Sequence, residues 1–232
     1  MPASPAPSPF SPKTFAFLRQ LARNNERSWF HAHKADYEAH VRGPMLALIS
    51  ALQPAVASIS LHYRADPRTQ GGSLFRIARD TRFANDKSPY KTWSGARIFH
   101  ARHRERPAPS FYLHVQPGHC FVGAGVWHPE PAVQRTIREF LVENPGAWER
   151  AVHAPAFRKR FAMDGESLVR PPRGFPADHP LIEDIKRKDF VASRHLDDEV
   201  LLGAGVVGAI EAELVALAPL VDYLCAALDL EF

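Results

Sequence analysis

The stretch SFYLHVQPGHCFVGAGVW, residues 110–127, decides the reading of this chain. Large residues alternate along both halves, and Pro117-Gly118 sits between them, a pattern that predicts a β-hairpin. Upstream, ARIFHA (96–101) and SLFRIA (73–78) have strand character and are separated by a polar loop. Downstream, PEPAVQRTIREFLVEN (129–144) places Val133, Ile137, Phe140 and Leu141 on one side of a helix. Short helical pieces are expected through Phe161, then a strand near SLVR (167–170) and an irregular PPRGFPADHP (171–180). A further strand at DFVASRHL (189–196) and a mostly helical end complete the chain.

At the N-terminal side, SPKTFAFLRQLARNN (11–25) has a Ser-Pro start and apolar Phe15, Leu18 and Leu21, which predicts an amphipathic helix. Asn24-Asn25 interrupts it. A longer helix begins at Glu26, with Trp29, Phe30, His33, Tyr37 and Val41 near one stripe. Gly43-Pro44 should kink or break that helix, and Pro54 should end it. Helices at both ends and strands in the middle predict an α+β fold: a single domain over residues 13–232 around a central, mostly antiparallel sheet. The Pro-, Ala- and Ser-rich residues 1–12 read as a disordered lead-in.

Charge is segregated along the sequence. From Arg64 to Arg106 eleven Lys/Arg stand against four Asp/Glu, whereas Asp197–Phe232 holds eight Asp/Glu and no Lys or Arg. The basic middle favours anionic partners. Only two cysteines, Cys120 and Cys225, are present, which excludes a disulfide framework and fits a reducing cytoplasm. The N-terminus lacks the basic and apolar regions of a signal peptide. The most apolar run, Val200–Leu228, is interrupted by Glu211, Glu213, Pro219 and Asp222, so no membrane span is expected.

Several motifs fail on context. GAGVVG (203–208) satisfies G-x-G-x-x-G, but it follows a helix-start pattern and the chain ends before a dinucleotide-binding unit could be completed. There is no P-loop, nucleophile elbow or zinc helix. His114, Cys120 and His128 lie on or near the hairpin, yet neither their number nor their spacing specifies a metal site, and no cofactor is expected.

The stretch FRIARDTRFANDKSPYKTW (75–93) stands apart, with five cations interleaved with aromatic residues. If LFRIAR is a strand, Phe75, Ile77 and Arg79 share one face. Arg79 then points with the apolar side and needs a carboxylate, backbone carbonyls or a bound anion. Two readings remain open. In the first, Asp80 and Asp86 satisfy the arginines and the network pins a long loop. In the second, Arg76, Arg79, Arg82, Lys87 and Lys91 converge on a phosphate or carboxylate, with Tyr90 or Trp93 as a stacking wall.

The segments FLRQLARNNERSWFHAHKADYE, FRIARDTRFANDKSPYKT, FYLHVQPG, GVWHPEP, RPPRGFPADHP and DFVASRHL occur in an order that resembles the uncharacterised family called domain of unknown function 2461, found in bacteria and fungi. The resemblance covers about Phe15 to Leu228 and implies one α+β domain in which the FR-x-x-RDTRF-x-x-DK-x-PYK segment matters. Arg76, Arg79, Asp80, Arg82, Asp86, Lys87, Tyr90 and Lys91 match it position by position. Gly43-Pro44 departs from it, since the family's long second helix is uninterrupted. The resemblance supplies no catalytic roles.

The expectation is a cytoplasmic protein that binds a phosphorylated or otherwise anionic small molecule. Arg79 and Arg82 would act as forks, Lys87 and Lys91 as point charges, with Arg76, Asp86, Tyr90 and Trp93 completing the site. Were it an enzyme, His114 would be the first acid–base candidate, because its ordinary pKa lies near neutrality, with Asp80 orienting it or an arginine. Two alternatives stand beside this: a nucleic-acid-binding module using the same segment with ARHRERP (101–107), and a non-catalytic scaffold with a purely structural charge network.

Overall fold

The computed structural model describes residues 7–82 and 85–232. The hairpin forms as the alternation requires: β3 (Ser110–Val115) and β4 (Cys120–Val126) pair antiparallel, Leu113 opposite Val122, around Gly118 at φ +73°. The left-handed conformation explains a glycine there. β1 (Tyr63–Arg64) and β2 (Ser94–His100) extend the sheet on one side, and β5 (Ala162–Asp164) and β6 (Phe190–Leu196) on the other. The order is β1-β2-β3-β4-β6-β5, with every pairing antiparallel.

Helices cover one face of this sheet. α1 (Pro12–Arg23), α2 (Arg27–Ala32), α3 (Lys34–Tyr37), α4 (Gly43–Ala51) and α5 (Gln53–Ile59) precede it. α6 (Pro131–Glu143), α7 (Pro145–Trp148), α8 (Pro155–Arg160) and α9 (Ile182–Ile185) lie between β4 and β6. α10 (Asp198–Leu202) and α11 (Val206–Ala227) follow β6. The apolar α11 packs against β4 and β3, and its Leu217, Leu220, Val221 and Leu224 are fully buried in the same core as Val115 and Val122. Strand alternation sends Ala96, Ile98, Leu113, Val122 and Ala192 into this core and Arg97, Tyr112, His114 and Phe121 to the other face. The α+β domain is therefore as expected. Among the described residues no helix is long and apolar enough to cross a membrane.

Four local expectations are corrected. SLFRIA forms no regular strand. Its backbone bonds first to β2 (Phe75 N–H to Gly95 O, 2.9 Å) and then to the returning loop (Arg79 N–H to Pro89 O, 2.9 Å), so neither partner supports a continuous ladder. The strand expected near SLVR is a single bridge, Ser167 to Arg187, and the edge strand β5 lies three residues earlier. Pro54 does not end helical structure but sits in the first turn of α5, where its missing N–H removes no intrahelical bond. Finally, the described part of the lead-in is packed: Phe10 is buried in the core and Ser8 Oγ donates to Leu201 O. One aromatic anchor outweighs the surrounding proline-rich composition.

Gly43-Pro44 is absorbed without a break. The preceding turn, Glu38–Arg42, widens to π-helical geometry, and Gly43 N–H donates to Glu38 O. A Cβ on Gly43 would lie 2.9 Å from that carbonyl, so glycine fits the widened turn next to a proline that cannot donate. GAGVVG links α10 to α11, with Gly205 at φ +85°, and no strand precedes it. The strand–turn–helix context of a dinucleotide site is missing.

Candidate functional site

The loop between Phe75 and Trp93 leaves the edge of β2, pairs briefly with itself at Ala78 and Tyr90, and returns to β2. Two interactions dock it on the helical layer. Asn25, in the gap between α1 and α2, takes Tyr90 N–H on Oδ1 (3.0 Å) and gives Nδ2–H to Tyr90 O (2.9 Å). The Tyr90 ring stacks on Phe30, centroids 4.1 Å apart. Between the docked loop and the end of α1 lies a cleft of ≈ 620 Å³, lined by Asn25, Arg79, Asp80, Asp86, Ser88, Tyr90, Lys91, Thr92 and Trp93. Of the sequence-predicted residues, Arg76, Arg82, Lys87 and His114 do not line it.

Among the described residues Arg79 and Arg82, but not Arg76, find carboxylates, in the pairing the structural reading requires. Arg79 Nη1 donates to Asp86 Oδ2 and to Ser88 Oγ (2.7 Å), while Asp86 Oδ1 accepts Ser88 N–H (2.8 Å). Ser88 N–H and the Arg79 guanidinium hold the Asp86 carboxyl down to about 2. Arg82 grips Asp80 with Nε (3.0 Å) and Nη2 (2.7 Å), which lowers the Asp80 pKa. Phe83, one of the interleaved aromatics, lies outside the described residues.

The two lysines bond to backbone carbonyls. Lys87 Nζ donates to Thr81 O (3.0 Å) and Lys91 Nζ to Arg76 O (2.7 Å). Lys91 also sits 5.1 Å from the Trp93 ring centroid and 5.7 Å from that of Phe75. Burial and the nearby Arg76 guanidinium push its pKa down. Among the described residues, Arg79 Nε and Nη2 and the Arg76 guanidinium bond to no acceptor.

The stacking-wall expectation is redistributed. Tyr90 already lies on Phe30, and Trp93 meets both Lys91 and the His114 ring, centroids 4.8 Å apart. His114 is behind Trp93 on the face of the sheet opposite Leu113 and Val122, stacked on Phe121 at 4.7 Å. Its Nδ1 pairs with Tyr112 Oη (2.9 Å) and its Nε2 with Gln116 Oε1 (3.0 Å), and burial lowers its pKa. The structure thus does not bring His114 and Asp80 together: each is engaged by other partners. Among the described residues, no group of three or more His, Cys, Asp or Glu side chains is arranged to hold a metal ion.

Sequence reasoning missed Asn25, Ser88 and Thr92. Asn25 was legible only as a helix interrupter, although it stands in FLRQLARNNERSWF, one of the segments that carry the family resemblance. ARHRERP is also remote from the cleft. It follows the far end of β2, about 20 Å along a seven-residue strand. There Arg106 pairs with Asp229 of the acidic C-terminal segment (3.1 Å).

The chain belongs to the family described as conserved hypothetical protein (DUF2461), whose model matches residues 13–223. No curated protein and no solved structure matches it.

Proposed function

We propose that this member of the DUF2461 family binds a small anionic molecule, a phosphate or carboxylate compound, in the cleft between the Arg79–Lys91 loop and the end of α1. One observation carries the reading: Arg79 is fixed by Nη1 alone, so the rest of its fork keeps donors while its direction is already set. A guanidinium oriented by a carboxylate is prepared for bidentate contact with an oxyanion, with no ordering left for the ligand to impose. Lys91 adds a second cation with unused donors. Asp86 and Ser88 position Arg79, and Asn25 and Tyr90 hold the loop. The volume suits a metabolite-sized ligand.

Two features weigh against the nucleic-acid alternative. The two basic segments sit at opposite ends of β2, and the second is countered by Asp229. The scaffold alternative is favoured by the Arg79–Asp86 and Arg82–Asp80 pairs, so the test has to separate it from ligand binding. Both cysteines are free and buried, which supports a cytoplasmic placement.

The test is thermal unfolding of wild type and Arg79→Lys in rising phosphate, carboxylates and phosphorylated metabolites. An anion at about 100 times its Kd should stabilise wild type by about 2.7 kcal/mol. Arg79→Lys keeps the charge but loses the fork, so its ligand-induced rise should be much smaller. A mutant that melts several degrees lower without ligand, together with a wild type indifferent to every anion, would leave only the scaffold.

A further inference from the structure

We propose that Lys91 is a nucleophile that forms a Schiff base with a small aldehyde or ketone carrying a carboxylate or phosphate; the inference rests on reading the cleft as an anion site. Arg79 would hold the anionic group and Lys91 would meet the carbonyl carbon. A carbonyl compound with an anionic handle matches what the cleft offers: a pre-set fork and an amine that both line it.

The surroundings of Lys91 distinguish it from the surface lysines. Its Nζ is fixed by one hydrogen bond to Arg76 O and pressed towards the Phe75 and Trp93 rings. Neither carboxylate of the cleft bonds to it, because Asp80 takes Arg82 and Asp86 takes Arg79 and Ser88. The charge that acts on it is thus the Arg76 guanidinium, while Arg79 and the two committed aspartates share the cleft lining with it. Partial burial beside another cation is the environment that frees a lysine amine for attack. The rings favour the ammonium, yet the net direction of the pKa is downward, with burial the larger cause and Arg76 the second.

The step balances without redox chemistry. The neutral amine adds to the carbonyl carbon, a proton passes from nitrogen to oxygen through solvent, and the resulting carbinolamine loses one water. One C=O bond is exchanged for one C=N bond. The single bond to Arg76 O leaves the nitrogen lone pair available for attack.

The experiment treats the full chain at pH 7.5 with glyoxylate, with glyceraldehyde 3-phosphate or with uncharged propionaldehyde, reduces with borohydride and maps the modified lysines by mass spectrometry. The expected result is one adduct at Lys91, forming roughly tenfold faster than at the exposed Lys13 and Lys159 with the anionic carbonyls and losing that preference with propionaldehyde. Preference for glyoxylate or for the phosphate compound assigns the handle. Inorganic phosphate should slow labelling at Lys91 alone, and Lys91→Arg should abolish it while still melting cooperatively. Uniform labelling of all lysines, or an unmodified Lys91 in a protein that phosphate still stabilises, overturns the Schiff base but not the anion site. Absence of any stabilisation by anions would overturn both.

Discussion

Asn25→Ala is the change that tests how the cleft is built. Asn25 makes two hydrogen bonds to the backbone of Tyr90, 65 residues away, and both are partly buried. Each neutral bond contributes about 1 kcal/mol, so their loss should destabilise the protein by about 2 kcal/mol. At about 2–4 °C per kcal/mol for a chain of this length, the melting temperature should fall by about 4–8 °C. The Tyr90–Phe30 stack would remain as the loop's main tether, so Tyr90 and Lys91 should lose their register and the response to phosphate should weaken as well. Asn25→Asp sharpens the test. Its carboxylate still accepts Tyr90 N–H but opposes Tyr90 O, where the native amide donates, so it should be at least as damaging at pH 7. Protonation in mild acid restores a donor, and part of the stability should return relative to Asn25→Ala. The assay is thermal unfolding by circular dichroism at pH 7 and pH 4.5, with and without phosphate. An Asn25→Ala protein with wild-type melting and wild-type phosphate response would refute the claim that this residue docks the loop.

Two other outcomes follow from charges outside and inside the cleft. Glu213 on α11 is nearly buried and accepts Arg160 Nε from α8 and Arg194 Nη1 from β6, both at 2.7 Å. Glu213→Gln should lower stability by about 2 kcal/mol, read by urea unfolding, because the two arginines are partly exposed and can turn to water; no change would mean the triad is a surface arrangement. Asp86 has a folded-state pKa of about 2, below the ordinary carboxylate value near 3.9, so its contribution is present above that value and lost as pH falls through about 2. Carboxyl carbon shifts followed by NMR should show Asp86 ionised at pH 3, and titration at the ordinary value would contradict its bonds to Ser88 and Arg79.

Much of the fold was legible because its signals are local. The alternation in 110–127 fixed which side of β3 and β4 faces the core, and the periodicity of α1 and α6 matches their buried Leu18, Leu21, Ile137 and Leu141. SLFRIA misled because a strand needs one continuous partner, and partner identity is tertiary information. The alternation expected from Phe75 onward holds only from Arg76 to Asp80, with Ile77 and Arg79 half-buried and Arg76, Ala78 and Asp80 exposed; Phe75, expected to share the face of Ile77 and Arg79, is itself exposed. At the site, composition announced the charged loop but not its geometry. Nothing local in Asn25 says that its amide meets a backbone 65 residues on, and nothing in His114 says that Trp93 stands between it and the cleft.

The same limit explains why counting charges could not decide between a structural and a ligand-binding loop. Two aspartates cannot neutralise five cations, and on composition alone the surplus calls for either water or an anion. The structure uses a third option. Lys87 and Lys91 are held by the carbonyls of Thr81 and Arg76, dipoles that fix a side chain without cancelling its charge. Arg79 is fixed through one nitrogen and keeps the others. Ordering the loop and keeping it positive are therefore compatible, because beyond the Arg82–Asp80 and Arg79–Asp86 pairs the geometry comes from carbonyls, which leave net charge in place. A loop needed only for stability gains nothing from that retained charge, since like charges held together repel. A matching anion would relieve that repulsion, and phosphate should therefore slow amide exchange at Arg79 and Lys91, whose N–H groups bond to Pro89 and Ile77. If exchange at these two amides is the same with and without every anion tested, the retained charge serves no ligand at this loop.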